Sequence, residues 1–198
     1  MKKIMLTIGL ALLCMAGQAQ VKMTKIQTGR PQVLTHEDSL ALIKQMEQRM
    51  AEAAKLRPIG SQVKDMKMAD VKGKMHQLSE WTGKGNWVLI DFWASWCGPF
   101  LRELPNVTAN YEKYHDKGFE IIGISFDKDK KAWLAAIERL GMKWPHLSDL
   151  KGWQSLGSET FGIRSIPANI LVDPEGRITD LDLRGENLGN RLAEIYEK

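Results

Sequence analysis

Three nearly continuous apolar runs, separated by helix-period segments, constrain this chain more than any other feature. They are Asn86-Trp-Val-Leu-Ile-Asp-Phe-Trp93, Phe119-Glu-Ile-Ile-Gly-Ile-Ser-Phe126 and Ala168-Asn-Ile-Leu-Val-Asp173. None shows the in-out alternation of a strand with one wet face, so each reads as a strand buried on both faces. The spacing predicts a helix from Cys97 to about Tyr114, with Pro105 expected to kink it. It predicts another from Asp129 to Leu140, carrying Trp133, Ile137 and Leu140 on one stripe and stopped at Gly141. Pro174-Glu-Gly176 is a turn, Arg177 to Leu183 its antiparallel strand, and Leu188 to Tyr196 a closing helix. Upstream, Val63 to Ala69 and the stretch around Met75 form a short hairpin about the polar turn Asp70–Lys74. Strands alternating with helices make an α/β fold: a central mixed sheet flanked by helices on both faces. Residues 58–198 are long enough for one such core.

The segments before residue 58 have a different character. Residues 1–19, MKKIMLTIGLALLCMAGQA, combine a basic start at Lys2 and Lys3, an apolar stretch and a small-residue cleavage site. They are expected to be an export signal removed from the mature chain, and the apolar run is short for a retained span. Lipidation of Cys14 is the rival reading and the only route to membrane contact; Leu13 before it is larger than the small residue such processing favours. Residues 20–57 read as a polar linker and then a helix. Thr35 with Asp38 resembles a capping box, and Leu40, Ile43, Met46, Met50 and Ala53 follow at helical spacing until Pro58 and Gly60. That stripe is expected to pack against its own domain, with docking of a partner as the alternative.

Composition removes several function classes. A net charge of +4 from 28 basic and 24 acidic residues, with no dense Lys/Arg run, gives nucleic-acid binding no footing. Two cysteines exclude a disulfide framework, and the expected mature chain keeps only Cys97. In an exported protein, where disulfides persist, an unpaired thiol is either buried and inert or chemically used.

Cys97 stands where the first buried run hands over to a helix, in Trp93-Ala-Ser-Trp-Cys-Gly-Pro-Phe100. Orphan amide N–H groups and the positive end of the helix dipole favour a thiolate there, the nucleophile of disulfide exchange. Gly98 lets a partner's backbone approach, Pro99 suits a first turn that needs no donor, and Trp96 can flank the sulfur with apolar surface. Asp91 lies between apolar Ile90 and Phe92, where a charge needs a reason.

DFWASWCGP, then LRELP at 101–105, then SIPANILVDPEG at 165–176, resembles the thioredoxin superfamily, in its envelope-facing TlpA/ResA-like thiol-disulfide oxidoreductase branch. The resemblance covers roughly residues 58–198. It implies that Cys97 is the attacking cysteine and that Pro167, after Ile166, is a cis-proline facing it where an extended substrate pairs. It also implies that Asp91 is the buried acid beneath the site and that Glu103 is an acid beside the cysteines, the two handling a proton. For Glu103 an exposed helix position is the bland alternative.

One departure is decisive for mechanism: Phe100 stands where the family has its second cysteine. Phenylalanine cannot attack a mixed disulfide, so two-cysteine cycling within one molecule is excluded. Three readings stay open. Cys97 acts as a lone thiol whose mixed disulfides an external thiol resolves, as a reductase, isomerase or deglutathionylase. Or the fold is a redox-inactive module that binds peptides in the proline groove. Or it is a peroxiredoxin-like peroxidase, disfavoured by Ala94 where those enzymes place Thr or Ser. The intact surroundings of Cys97 favour the first, with thiols or disulfides as partners and no cofactor.

Other candidates are weaker. His36, His76, His115 and His146 are dispersed, form no metal-ligand spacing, and read as satisfied or exposed. Asp127 and Asp129 resemble part of a calcium loop that lacks its glycine and terminal Glu. The seven tryptophans, all between 81 and 153, read as core and site rim. Gly83-Lys-Gly85 is a turn.

Overall fold

The computed structural model describes residues 36–197, without the side chains at 50, 53 and 54. The expected export signal, Cys14, the polar linker and Thr35 of the expected capping box lie outside the described residues. The described elements are α1 (His36–Ala54), β1 (Lys67–Asp70), β2 (Met75–Gln77), β3 (Trp87–Trp93), α2 (Gly98–Tyr114), β4 (Phe119–Ser125), α3 (Lys130–Leu140), β5 (His146–Ser148), α4 (Leu156–Phe161), β6 (Ala168–Val172), β7 (Ile178–Leu181) and α5 (Glu186–Tyr196).

The seven strands form one mixed sheet in the order β2-β1-β5-β4-β3-β6-β7. β3 pairs parallel with β4 and antiparallel with β6, and six of its seven residues are buried. Successive side chains on a strand point to opposite faces, and here the two faces meet different helices. Phe92 meets Phe161 of α4, ring centroids 5.7 Å apart, while Trp93 stacks on Phe100 of α2 at 5.1 Å. So α2 and α4 cover opposite faces, which is why the run could not alternate. α5 lies alongside α2, with Tyr114 and Tyr196 stacked at 5.2 Å.

Local chemistry explains where elements begin and end. The β1–β2 turn is held by Asp70 Oδ1, which accepts from the amides of Lys72 and Lys74 at 2.8 and 2.9 Å. Asp129 caps α3 through the amides of Lys131 and Ala132, and Gly141 ends it at φ +63°, the left-handed stop.

Several expectations need correction. The hairpin ladder starts only at Lys67: Gln62 bridges to Arg177 instead, and the Asp65 carboxylate accepts from Met66 N and from both Ser79 donors. β5 and α4 went unread; three and six residues are too short to show a period. On α1, Leu40, Leu42 and Ile43 are exposed rather than packed against the domain, so that part of the stripe is not core.

Candidate functional site

β3 delivers its last buried residue, Trp93, into a tight turn that ends at Cys97, the N-cap of α2. Cys97 N donates to Ala94 O at 3.0 Å, and Leu101 N donates to Cys97 O at 3.2 Å to begin the helix. Pro99 falls in the first turn, where a missing N–H removes no bond. The turn is pinned from below by Asp127. Its carboxylate accepts from Ser95 N at 3.0 and 3.2 Å, from Ser95 Oγ at 2.6 Å and from Ser125 Oγ at 2.8 Å. Asp127 is 1% exposed, so the geometry of the Cys97 turn is tied to the end of β4.

Cys97 is 4% exposed and its Sγ donates to Ile166 O at 3.6 Å. The Ile166–Pro167 peptide is cis. Around the sulfur, Gly98 carries no side chain, and a Cβ there would touch only Arg102 Nη1, at 3.8 Å. Trp96 is 46% exposed, its ring tilted toward Trp153 at 6.3 Å. Phe100 is not part of the open rim: it is 1% exposed and stacked on Trp93 with ring planes 29° apart.

Beneath this surface lie two carboxyls. Asp91 is buried, and its Oδ2 finds no hydrogen-bond partner among the described residues. Burial raises its carboxyl to about 7, helped by repulsion from Glu103 and opposed by Arg184. Glu103 is half-buried, not an exposed helix residue, and its Oε1 accepts from Gly185 N and from Asn106 Nδ2, both at 2.7 Å. Asn169, the register partner of Asp91 on β6, exchanges two bonds with the backbone of Leu183 at 2.7 and 2.9 Å. Arg184 donates to the carbonyl of Pro167. The structure therefore gathers Asp91, Trp96, Cys97, Gly98, Pro99, Phe100, Glu103, Ile166 and Pro167 at one end of the sheet. Chemically, the cluster offers one sulfur nucleophile at a helix N-terminus, a reservoir for a proton, and an extended backbone edge.

Sequence reasoning missed Asn169 and Arg184, and gave Asp127 and His146 other readings. Asp127 and Asn169 each follow or interrupt an apolar run, where a polar side chain needs a partner; that signal was available. Arg184 gives none. His146 corrects the reading of the histidines: it is buried, neither ring nitrogen has a partner among the described residues, and burial drives its pKa down to about 3. It packs edge-on to Trp93 at 5.4 Å.

Comparison with known proteins agrees with this fold. Residues 59–181 match the AhpC/TSA family. The thiol-disulfide oxidoreductase ResA of Bacillus thuringiensis subsp. konkukian is 31% identical over 140 residues, 71% of this chain and 78% of that protein. The thioredoxin domain of a thiol-disulfide oxidoreductase from Bacteroides vulgatus superposes with a TM-score of 0.64 at 34% identity, over 70% of this chain and 98% of that one. A thiol:disulfide interchange protein from Bacteroides sp. gives a TM-score of 0.64 at 32% identity, over 72% of this chain and 93% of that one.

Proposed function

The chain belongs to the AhpC/TSA family of thioredoxin-like proteins, among relatives of the ResA type, and on that premise we propose that it exchanges thiols and disulfides through Cys97 alone. The observation that carries this reading is the position of Cys97: a helix N-cap whose sulfur lies on the carbonyl of Ile166, next to Pro167. In the proposed cycle the Cys97 thiolate attacks a substrate disulfide, one sulfur becomes bonded to Cys97, and the other leaves as a thiolate that takes a proton. Asp91, with Glu103 beside it, supplies that proton. An external thiol then attacks the mixed disulfide, becomes bonded to the substrate sulfur, and returns Cys97 as thiolate while its own proton replaces the one spent. No second cysteine takes part, because Phe100 occupies the place of the family's resolving thiol. Trp96, Gly98, Pro99 and Ile166 would border the bound substrate. Residues 1–19 would direct export to the periplasm or cell envelope, 20–57 would join them to the domain, and 58–198 would carry the chemistry.

A non-catalytic peptide-binding reading is favoured by one observation, the 4% exposure of Cys97. Incubation with oxidised glutathione, followed by intact-mass measurement, separates the two. A dithiothreitol-sensitive adduct in the wild type and none in Cys97→Ser supports exchange. A peptide affinity that Cys97→Ser leaves intact, without any adduct, supports the binding module.

A further inference from the structure

Arg184 joins the two halves of the site. Its guanidinium donates to the carbonyl of Pro167, one residue beyond the carbonyl that accepts from the Cys97 thiol. The loop that carries it is fixed on both sides. Asp182 N donates to Asn169 O at 2.9 Å, Leu183 and Asn169 exchange two bonds, and Gly185 N donates to Glu103 Oε1 at 2.7 Å. Arg57 pairs with Asp182 at 3.7 Å. The base of the Arg184 side chain is thereby anchored by backbone bonds, so its long stem starts from a fixed point.

The loop reaches the neighbourhood of Asp91 through two fixed partners: Leu183 bonds Asn169, the register partner of Asp91, and Gly185 bonds Glu103 of α2; Glu103 raises the Asp91 carboxyl and Arg184 lowers it. The strands on either side bring Gly123 and Asn169 into register with Asp91, and neither titrates. Glu103 Oε1 receives two N–H donors, which fix that carboxyl against α2 and the loop. Asp91 Oδ2 is buried with no partner among the described residues, which suits a neutral acid and not an anion. Burial and Glu103 hold Asp91 toward its neutral form, and Arg184 opposes them.

We infer that Arg184 is a positioning residue of the Cys97 site: it orients the Pro167 carbonyl and, as the cation on the loop bonded to Asn169 and Glu103, sets how tightly Asp91 holds its proton. The inference rests on the reading of Cys97 and Asp91 as one working site. The opposing effects on Asp91, burial and Glu103 upward and Arg184 downward, agree with that balance. Without the cation, Asp91 would keep its proton to higher pH and would give it up less readily to a departing thiolate.

The test follows the Asp91 side-chain carbon by NMR against pH in the 198-residue chain, with Arg184→Met and Arg184→Lys, each also made in Cys97→Ser so that the thiol does not contribute. Arg184→Met should raise the Asp91 midpoint by about one pH unit, and Arg184→Lys, which keeps the charge, should stay within about 0.3 of the wild type. A Met variant with an unmoved midpoint, or a Lys variant shifted as far as the Met variant, overturns the inference. The two readings fail separately. A chain that forms no Cys97 adduct yet shows the shift loses the exchange chemistry and keeps the role of Arg184 toward Asp91. A chain that forms adducts with an unmoved midpoint loses only Arg184.

Discussion

Replacing Phe100 by cysteine puts a second thiol three residues after Cys97, at a structural cost set by the packing of the ring. The ring is 1% exposed and stacked on Trp93 with centroids 5.1 Å apart. Emptying such a site to alanine costs about 3–5 kcal/mol, part of it the lost stacking; a cysteine sulfur refills a little of the volume, so Phe100→Cys should cost about 2–4 kcal/mol. For a domain of this size that lowers Tm by roughly 4–16 °C, measured with reductant present so that no new disulfide compensates. Function should change in the opposite sense. The wild type should accumulate mixed disulfides that persist until an outside thiol arrives, whereas a thiol three residues along the helix should resolve them internally. Trapping with an oxidised peptide, read on non-reducing gels, measures adduct lifetime, and insulin reduction measures turnover. Phe100→Leu serves as the packing control without a thiol. The reasoning is refuted if Phe100→Cys melts within about 1 °C of the wild type, since a buried stacked ring cannot be removed so cheaply. Adducts as long-lived in Phe100→Cys as in Phe100→Leu would show that the ring does not stand in a resolving position.

Two further predictions concern pH. The Asp91 carboxyl is raised from 3.8 to about 7, so its contribution to stability is full below 3.8 and lost as pH rises through 7. Asp91→Asn should therefore stabilise the fold by up to about 4 kcal/mol at pH 8 and by little at pH 4, read by urea denaturation at both values. An asparagine variant no more stable than the wild type at pH 8 would mean that the carboxyl is not held ionised at a loss. His146 works the other way: its pKa falls from 6.5 to about 3, so the stability of the neutral form is full above 6.5 and lost as pH falls toward 3. Between pH 4 and 6.5 the two slopes oppose each other, and His146→Leu should expose the Asp91 slope, with stability rising on acidification by about 1.4 kcal/mol per pH unit. A pH dependence unchanged by His146→Leu would rule out burial of a neutral imidazole.

What the sequence disclosed depended on the length of each signal. The runs at 86–93, 119–126 and 168–173 announced β3, β4 and β6 because a strand buried on both faces must be apolar at every position, and Cys97 was placed at the head of α2 by the junction of two periods. β5 and α4 were illegible because short segments have no period to count. The site divided similarly. Asp91 was legible because it interrupts an apolar run. Arg184 was not, since its role comes from a fold that brings residues 167 and 184 together, and nothing in Leu183-Arg-Gly185 encodes that neighbour. The α1 stripe misled because helical periodicity reports an apolar face and says nothing of what covers it.

Gly123 and His146 are register partners on parallel strands, and they share one volume. A Cβ at residue 123 would stand 2.4 Å from His146 Nδ1 and 2.8 Å from Cε1, so residue 123 cannot gain a side chain while His146 stays in place. The coupling has a direction in mutational history. Residue 146 can shrink while 123 stays glycine, leaving a small void, after which 123 can grow. Growth at 123 first collides with the imidazole and crowds Trp93, whose Nε1 lies 3.1 Å from the same point. Trp93 in turn bears Phe100, so the order in which two distant strand residues drift decides whether the turn that presents Cys97 survives the passage. Epistasis at this pair is thus asymmetric, and the tolerated route runs through 146.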